Sequence, residues 1–155
     1  MSVIPSYIKN LTIFALPLLL SGCVFHDYPA PRVEGTLSDA GKPLAGIIVT
    51  LTNYDQPIAT TQTDSHGHFS LAPQGNWHLF IPIGPQDRIE RWTLIANDLQ
   101  GQKRSIYSGG SFGGPFSGYS RGDRISLICD LSPAARKTQR FSEAQACEPS
   151  LVKTP

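Results

Sequence analysis

Short runs of apolar and β-branched residues, each ended by Gly, Pro, Asp or Asn, recur along most of the chain. The clearest series occupies residues 33–71, where four runs of strand length are separated by turn sequences. In the run after Gly46, three apolar residues alternate with their neighbours and therefore share one face of a strand: Ile47, Val49 and Leu51. In the break at residues 63–67, we expect Asp64 to bond its own backbone and Gly67 to take positive φ.

Four further runs predict strands at residues 77–83, 91–97, 102–107 and 124–131. Pro82 makes the first of these an edge strand or a bulged one. In the second, either Trp92, Leu94 and Ala96 or Thr93 and Ile95 face inward, and the pattern leaves both open. Seven or eight strands at roughly even spacing predict an all-β sandwich.

Two strings within residues 33–71 also carry a family resemblance. They are Gly-Lys-Pro-Leu-Ala-Gly-Ile-x-Val and Thr-x-Thr-Asp-x-x-Gly-x-Phe-x-Leu. Together they resemble carboxypeptidase regulatory-like domains, and the resemblance implies a transthyretin-like β-sandwich. It implies no particular activity, because this fold serves as a spacer, an adaptor or a ligand-binding module.

The N-terminus has the order of a secretory signal, with Lys9, an apolar run at residues 11–20 and small residues after it. Ten residues span only about 15 Å as a helix, which is too short for a hydrocarbon core of ~30 Å. Leu20-Ser21-Gly22-Cys23 is similar to the lipoprotein box of bacteria, which implies a diacylglyceryl group on Cys23 and cleavage before it. The alternative is an ordinary signal peptide with a chance Cys.

The resemblance to lipoproteins predicts the division of the chain and its location. Residues 1–22 are the predicted signal peptide, 23–32 a lipidated tether, 33–131 the sandwich domain and 132–155 a C-terminal tail. Val24, where an Asp would indicate inner-membrane retention in Gram-negative bacteria, favours the periplasmic side of the outer membrane. In a Gram-positive source the anchor would sit on the plasma membrane. In the tether, Phe25 and Tyr28 either rest at the lipid interface or pack on the edge of the domain.

Charge excludes one class of partner. The chain has 13 basic and 12 acidic residues, a formal net charge of +1, and no run of four basic residues. This distribution does not predict a nucleic-acid partner.

A glycine-rich stretch separates the last two predicted strands. Six of the fifteen residues at 108–122 are Gly, and Phe112, Phe116 and Tyr119 are spread among them. The stretch is either a plain connection or a contact loop that presents its three rings to a partner. We take the rings as the candidate partner-binding residues.

Two cysteines remain once Cys23 is assigned to lipid. Cys129 and Cys147 would meet an oxidising compartment in an exported chain, which predicts a disulfide between them. A short helix is expected at residues 133–145, before Cys147.

No catalytic set is evident. His66 and His68 could share a metal, but a turn residue followed by a strand residue is the simpler interpretation. Transthyretin-like hydroxyisourate hydrolases end in Tyr-Arg-Gly-Ser, whereas the nearest string here, at residues 119–122, has an inserted Ser and is not terminal. We therefore predict no catalytic residue, no metal and no cofactor.

The predicted function is a membrane-anchored periplasmic lipoprotein that contacts a protein or an envelope polymer without catalysis. An immunity, inhibitor or secretion-system accessory lipoprotein is the alternative within this class. A metal-binding or hydrolytic enzyme of the same fold is the alternative in another class.

Overall fold

The computed structural model of the chain describes residues 23–80, 84, 87–97, 100–132 and 145–150. All regular elements in these ranges are β-strands, so the predicted all-β class is confirmed. The strands are β1 (Cys23–Asp27), β2 (Arg32–Asp39), β3 (Lys42–Pro43), β4 (Ile48–Asn53), β5 (Gln56–Gln62), β6 (His68–Leu71), β7 (Asn76–Phe80), β8 (Arg88–Asn97), β9 (Lys103–Gly113), β10 (Arg124–Asp130) and β11 (Cys147–Pro149).

Two sheets form the sandwich. In the first, β2 pairs in parallel with β10 on one side and antiparallel with β6 and the short β3 on the other, while β11 lies outside β10. The second sheet has the antiparallel order β5-β4-β8-β9. The parallel β2–β10 pair joins distant parts of the chain, so the intervening strands must cross over before β10 returns to β2.

One hydrophobic core fills the space between the sheets. Strand alternation supplies it, since every second side chain points to the same face. On β8 the inward residues are Trp92, Leu94 and Ala96, which settles the open alternative for that strand. The fully buried large side chains are Val33, Leu37, Val49, Leu51, Leu71, Leu94, Ile106, Leu127 and Cys129.

The predicted turn before β6 is confirmed. Asp64 Oδ1 accepts hydrogen bonds from the backbone N–H groups of His66 and His68, both at 2.8 Å. The bond from His68 is the main reason why the pKa of Asp64 lies below its usual value. Gly67 has a φ of 78°, and a Cβ there would lie 2.4 Å from the carbonyl oxygen of Leu37. Glycine therefore lets the turn close against β2.

Beside the sandwich, β1 and β7 form a separate antiparallel ribbon. The sequence predicts an extended tether at residues 23–32, whereas the structure makes residues 23–27 a strand and buries Ala30 after it. Of the two placements open for Phe25, packing on the domain is the one observed, because its ring stacks on His78 at 5.4 Å between centroids. The assignment of residues 1–22 lies outside the described residues.

The sequence analysis did not predict three of the strands, β1, β3 and β11. The strand predicted at residues 102–107 also continues to Gly113, so the first part of the glycine-rich stretch is strand rather than loop. The strand predicted at 77–83 is β7, which pairs only with β1 among the described strands, as an edge strand does. Residues 81–83 lie outside the described residues. So does the expected helix at 133–145, apart from Gln145.

The predicted disulfide between Cys129 and Cys147 is present. The two cysteines are register partners on β10 and β11, and both are buried. Backbone bonds continue the attachment, from Asp130 N–H to Ala146 O at 2.8 Å and from Ala146 N–H to Ile106 O at 2.9 Å. The C-terminal segment is thereby fixed against both sheets.

Removal of this disulfide should lower the free energy of unfolding. The bond closes a loop with a sequence separation of 18, for which restriction of the unfolded chain contributes about 3 kcal/mol. The double variant Cys129→Ala/Cys147→Ala should show this loss in urea unfolding, and reduction of the natural protein should reproduce it. Two free thiols in the protein prepared without reductant would contradict the prediction.

Candidate functional site

The β1–β7 ribbon carries different chemistry on its two faces. Register pairs Val24 with Leu79 and His26 with Trp77, and these four residues form what we call the outer face. The residues between them point towards the sandwich, because adjacent side chains of a strand alternate. The inner face consists of Phe25, Asp27, His78 and Phe80.

A buried carboxylate on the inner face is bound by the sandwich. Asp27 is only 5% exposed, and its Oδ2 accepts a hydrogen bond from the guanidinium of Arg88, the first residue of β8. His78 Nε2 lies 2.9 Å from Asp27 Oδ1. Because this oxygen accepts no hydrogen bond from the described residues, His78 acts on it through charge when its ring is protonated.

Arg88 binds a second buried carboxylate. Its Nη2 lies 2.8 Å from Oε1 of Glu90, which is 7% exposed. The other oxygen of Glu90 accepts a hydrogen bond of 3.0 Å from Asn53 Nδ2 on β4. One guanidinium therefore forms ion pairs with two carboxylates and joins β1 to β8, and the bond from Asn53 to Glu90 extends this network to β4. We call Asp27, His78, Arg88 and Glu90 the charge clamp.

Aromatic rings cover the clamp. Phe116 lies edge-on to Phe25, with 5.1 Å between ring centroids, and 5.0 Å from Phe80. The guanidinium carbon of Arg88 lies 5.9 Å from the centroid of Phe25, within the range of a cation–π contact. The ribbon is thus held on the sandwich by charge and by ring packing together.

A shallow cleft of about 210 Å³ opens beside the rings. It is lined by Phe25, His78, Leu79, Phe80, Asp87, Arg88 and Pro115. None of these residues brings a hydroxyl or thiol group, so the described lining supplies no side-chain nucleophile of that kind. The polar groups shared with the clamp are engaged in holding strands together.

The outer face of the ribbon is exposed to solvent and mostly apolar. Trp77 is 73% exposed, and Val24 and Leu79 are each 61% exposed. His26 packs edge-on to the indole of Trp77, with ring centroids 4.8 Å apart. Three large apolar side chains on one face of a two-stranded ribbon form an exposed patch, and such patches mark surfaces that meet another apolar phase or protein.

The glycines at residues 108–113 serve close packing rather than flexibility. A Cβ on Gly109 would lie 2.4 Å from the ring of Trp92, and one on Gly110 would lie 2.6 Å from the carbonyl oxygen of Glu90. Only glycine therefore lets β9 lie against β8 here. In this strand Phe112 pairs with Ile89, and their side chains are 73% and 49% exposed.

Tyr119 belongs to the edge of the core rather than to a free contact loop. Its hydroxyl accepts a hydrogen bond of 2.9 Å from Trp92 Nε1, and its backbone forms a bridge with Tyr28. Desolvation by burial is the main reason why the pKa of Tyr119 lies above its usual value. The three predicted partner-binding rings are therefore in three settings: Phe112 on a strand, Phe116 over the ribbon and Tyr119 on the core.

The two turn histidines do not form a metal site with a third ligand in the described part of the chain. Their ring centroids are 6.1 Å apart, and His68 Nδ1 lies 3.3 Å from Asp64 Oδ2. No group of three or more His, Cys, Asp or Glu residues with metal-binding geometry occurs within the described ranges. The pair has the local role of a turn and a strand start.

A second cleft, of about 320 Å³, lies at the start of β2 and β10. Arg32 and Arg124 line it as register partners, and Arg121 joins them from the preceding turn. All three are exposed, and Arg32 Nε lies 3.7 Å from Glu34 Oε1. These guanidinium groups are accessible to water on a polar rim.

Cys23, the predicted lipidation site, is the first residue of β1 and lies opposite Phe80. The rest of the lipoprotein box, Leu20 to Gly22, lies outside the described residues. In the described part of the chain, no helix has the length and hydrophobicity that crossing a bilayer requires.

The sequence analysis missed the charge clamp and the outer face of the ribbon. Asp27 stands 61 residues before Arg88, which shares β8 with Glu90, and no spacing in the sequence reveals that Asp27 joins them. The outer face left no alternating signal, because Val24 and Phe25 are both apolar and His26 and Asp27 are both polar. The nearby prolines led instead to an assignment as a tether.

Residues 33–134 match the family model described as "Domain of unknown function (DUF6795)". No curated protein matches the sequence significantly. A solved structure of Klebsiella pneumoniae 5-hydroxyisourate hydrolase aligns with a TM-score of 0.40 and 17% identity, covering 73% of this chain and 100% of that one. A likeness this distant shows nothing about activity, and the sandwich is evident from the pairing of the strands.

Loss of the central cation of the clamp should destabilise the fold. Arg88→Gln leaves two buried carboxylates without their guanidinium, and removal of one partner from such a site typically costs about 3–5 kcal/mol. Urea unfolding measures the loss. The matched control is Arg91→Gln on the same strand, where the side chain is exposed and the change should be within about 0.5 kcal/mol. Equal, small effects of both variants would contradict the assignment.

Tyr119→Phe should also destabilise the protein. It removes the acceptor of the Trp92 indole N–H, and Trp92 is 3% exposed, so a buried donor is left unpaired at a cost of about 1–3 kcal/mol. Phe112→Thr, at an exposed strand position, should change stability by only about 0.5 kcal/mol. Thermal unfolding of the two variants distinguishes them, and a more stable Tyr119→Phe than Phe112→Thr would exclude the core role.

Proposed function

We propose that this chain, which belongs to the family described as a domain of unknown function (DUF6795), is a lipid-anchored protein of the bacterial cell envelope. Cys23 carries the lipid, and the sandwich acts at the membrane surface as a non-catalytic binding or structural module. The proposal places it on the periplasmic side of the outer membrane, as Val24 after the lipidated Cys favours.

One observation carries the proposal. The four residues that resemble a lipoprotein box, Leu20-Ser21-Gly22-Cys23, end at the first residue of a strand whose partner strand exposes Trp77 and Leu79. An acyl anchor at Cys23 therefore holds the bilayer close to the ribbon that carries these apolar side chains. Anchors of more than one acyl chain hold proteins stably on membranes.

The state of the charged groups supports a structural role for the clamp. Catalytic acids and bases need access to a substrate proton, whereas Asp27 and Glu90 are buried and bound to Arg88. Their carboxylates join the ribbon to the sandwich. The partner is a protein or envelope polymer, and the exposed pair of Phe112 and Ile89 is the part of the predicted contact region that is accessible to it.

Lipidation can be tested on the whole precursor in bacterial cells. Wild-type protein should incorporate a clickable palmitate and sediment with membranes, and Cys23→Ser should lose the label because the thiol that accepts the diacylglyceryl group is gone. Ser21→Ala is the matched control, since Ala is the other residue accepted at that position of the box. Unchanged labelling of Cys23→Ser would refute the anchor.

A further inference from the structure

We infer that the outer face of the β1–β7 ribbon lies on the bilayer that holds the anchor, with the indole of Trp77 among the lipid headgroups. The occupant of this apolar face is the lipid surface itself. The inference rests on the proposed lipidation of Cys23 and adds the orientation in which the domain is held.

The outer face lies close to the proposed anchor. Cys23 is itself the first residue of β1, so no linker separates the acylated residue from the fold. His26, the register partner of Trp77, is three residues further along, which is roughly 10 Å at the rise of a β-strand. The headgroup layer is itself several ångströms thick on each side of the hydrocarbon core. Cys23 itself, as the register partner of Phe80, falls on the inner side of the ribbon, and the outer face begins with the next residue, Val24, close to the headgroup layer.

The chemistry of the face fits a lipid surface. Val24 and Leu79 are aliphatic and 61% exposed, and Trp77 is 73% exposed. Trp concentrates at membrane interfaces, because its ring is apolar and its N–H retains a polar partner there. The outer face contains no carboxylate that would be repelled by anionic lipid, and His26 is its only titratable group among the described positions.

Because the charge clamp holds the ribbon on the sandwich, a contact between the ribbon and lipid also sets the orientation of the sandwich. Asp27 on the ribbon is bound to Arg88 on the sandwich, and the rings of Phe25 and Phe116 pack beside them. A ribbon that moved freely relative to the sandwich would not fix the orientation of the sandwich on the membrane. A clamped ribbon that rests on lipid fixes which surfaces of the sandwich face away from the membrane.

The chain contains only two Trp residues, and they make a matched pair for fluorescence. Trp77 is exposed on the ribbon, whereas Trp92 is 3% exposed in the core. Natively lipidated protein is reconstituted into vesicles of phosphatidylethanolamine and phosphatidylglycerol, with and without brominated acyl chains that quench indole emission on contact. The same measurement is made on the Trp77→Phe variant, which keeps Trp92 and its bond to Tyr119.

Brominated lipid should abolish the emission contributed by Trp77 in the wild type and leave the Trp77→Phe variant unquenched. Palmitate-labelled protein that floats with the vesicles but shows equal, small quenching in both proteins would overturn the inference and leave the anchor in place. Quenching of Trp77→Phe as strong as that of the wild type would overturn it as well. Protein that is neither labelled nor floats would refute the anchor and the orientation together.

Discussion

The guanidinium of Arg88 is the contact on which the arrangement of this protein depends. It lies between two carboxylates that are almost completely buried, Asp27 on the ribbon and Glu90 on the sandwich. A buried carboxylate is strongly unfavourable without a partner, and Arg88 is the cation that Asp27 and Glu90 share. The ribbon therefore cannot leave the sandwich without exposing or orphaning a charge.

This constraint gives meaning to the position of Cys23. In an anchored protein with a long linker, the fold would move freely above the membrane and its surface would be independent of the anchor. Here Cys23 is part of a strand that is fixed to the core through Asp27 and through Phe25. An anchor at this residue would transmit its position to the sandwich directly. Leu79 and Trp77 are exposed on the partner strand, opposite Val24 and His26.

Local patterns predicted what local physics determines. Alternation of apolar residues predicted the core strands, and Asp64 and Gly67 predicted the turn before β6. The two cysteines left after Cys23 predicted the disulfide. The pairing of β1 with β7 could not be predicted from local patterns, because it joins residues about fifty positions apart. The prolines after β1 suggested a tether. Composition misled at Gly109 and Gly110, whose missing side chains make room for Trp92 and for the backbone at Glu90. Inward polar groups such as Asp27 follow no periodic pattern at all.

Hydrogen exchange of the backbone amides tests the central claim most directly, namely that the segment beginning at Cys23, the proposed lipidation site, belongs to the fold. Amides of β1 and β7 that are bonded across the ribbon should be protected, because opening them requires the clamp at Arg88 to break. The strands of the sandwich provide the reference within the same molecule. Exchange of residues 24–27 at the rate of an unstructured peptide, beside a protected β2, would show that the segment is a tether and would contradict the account.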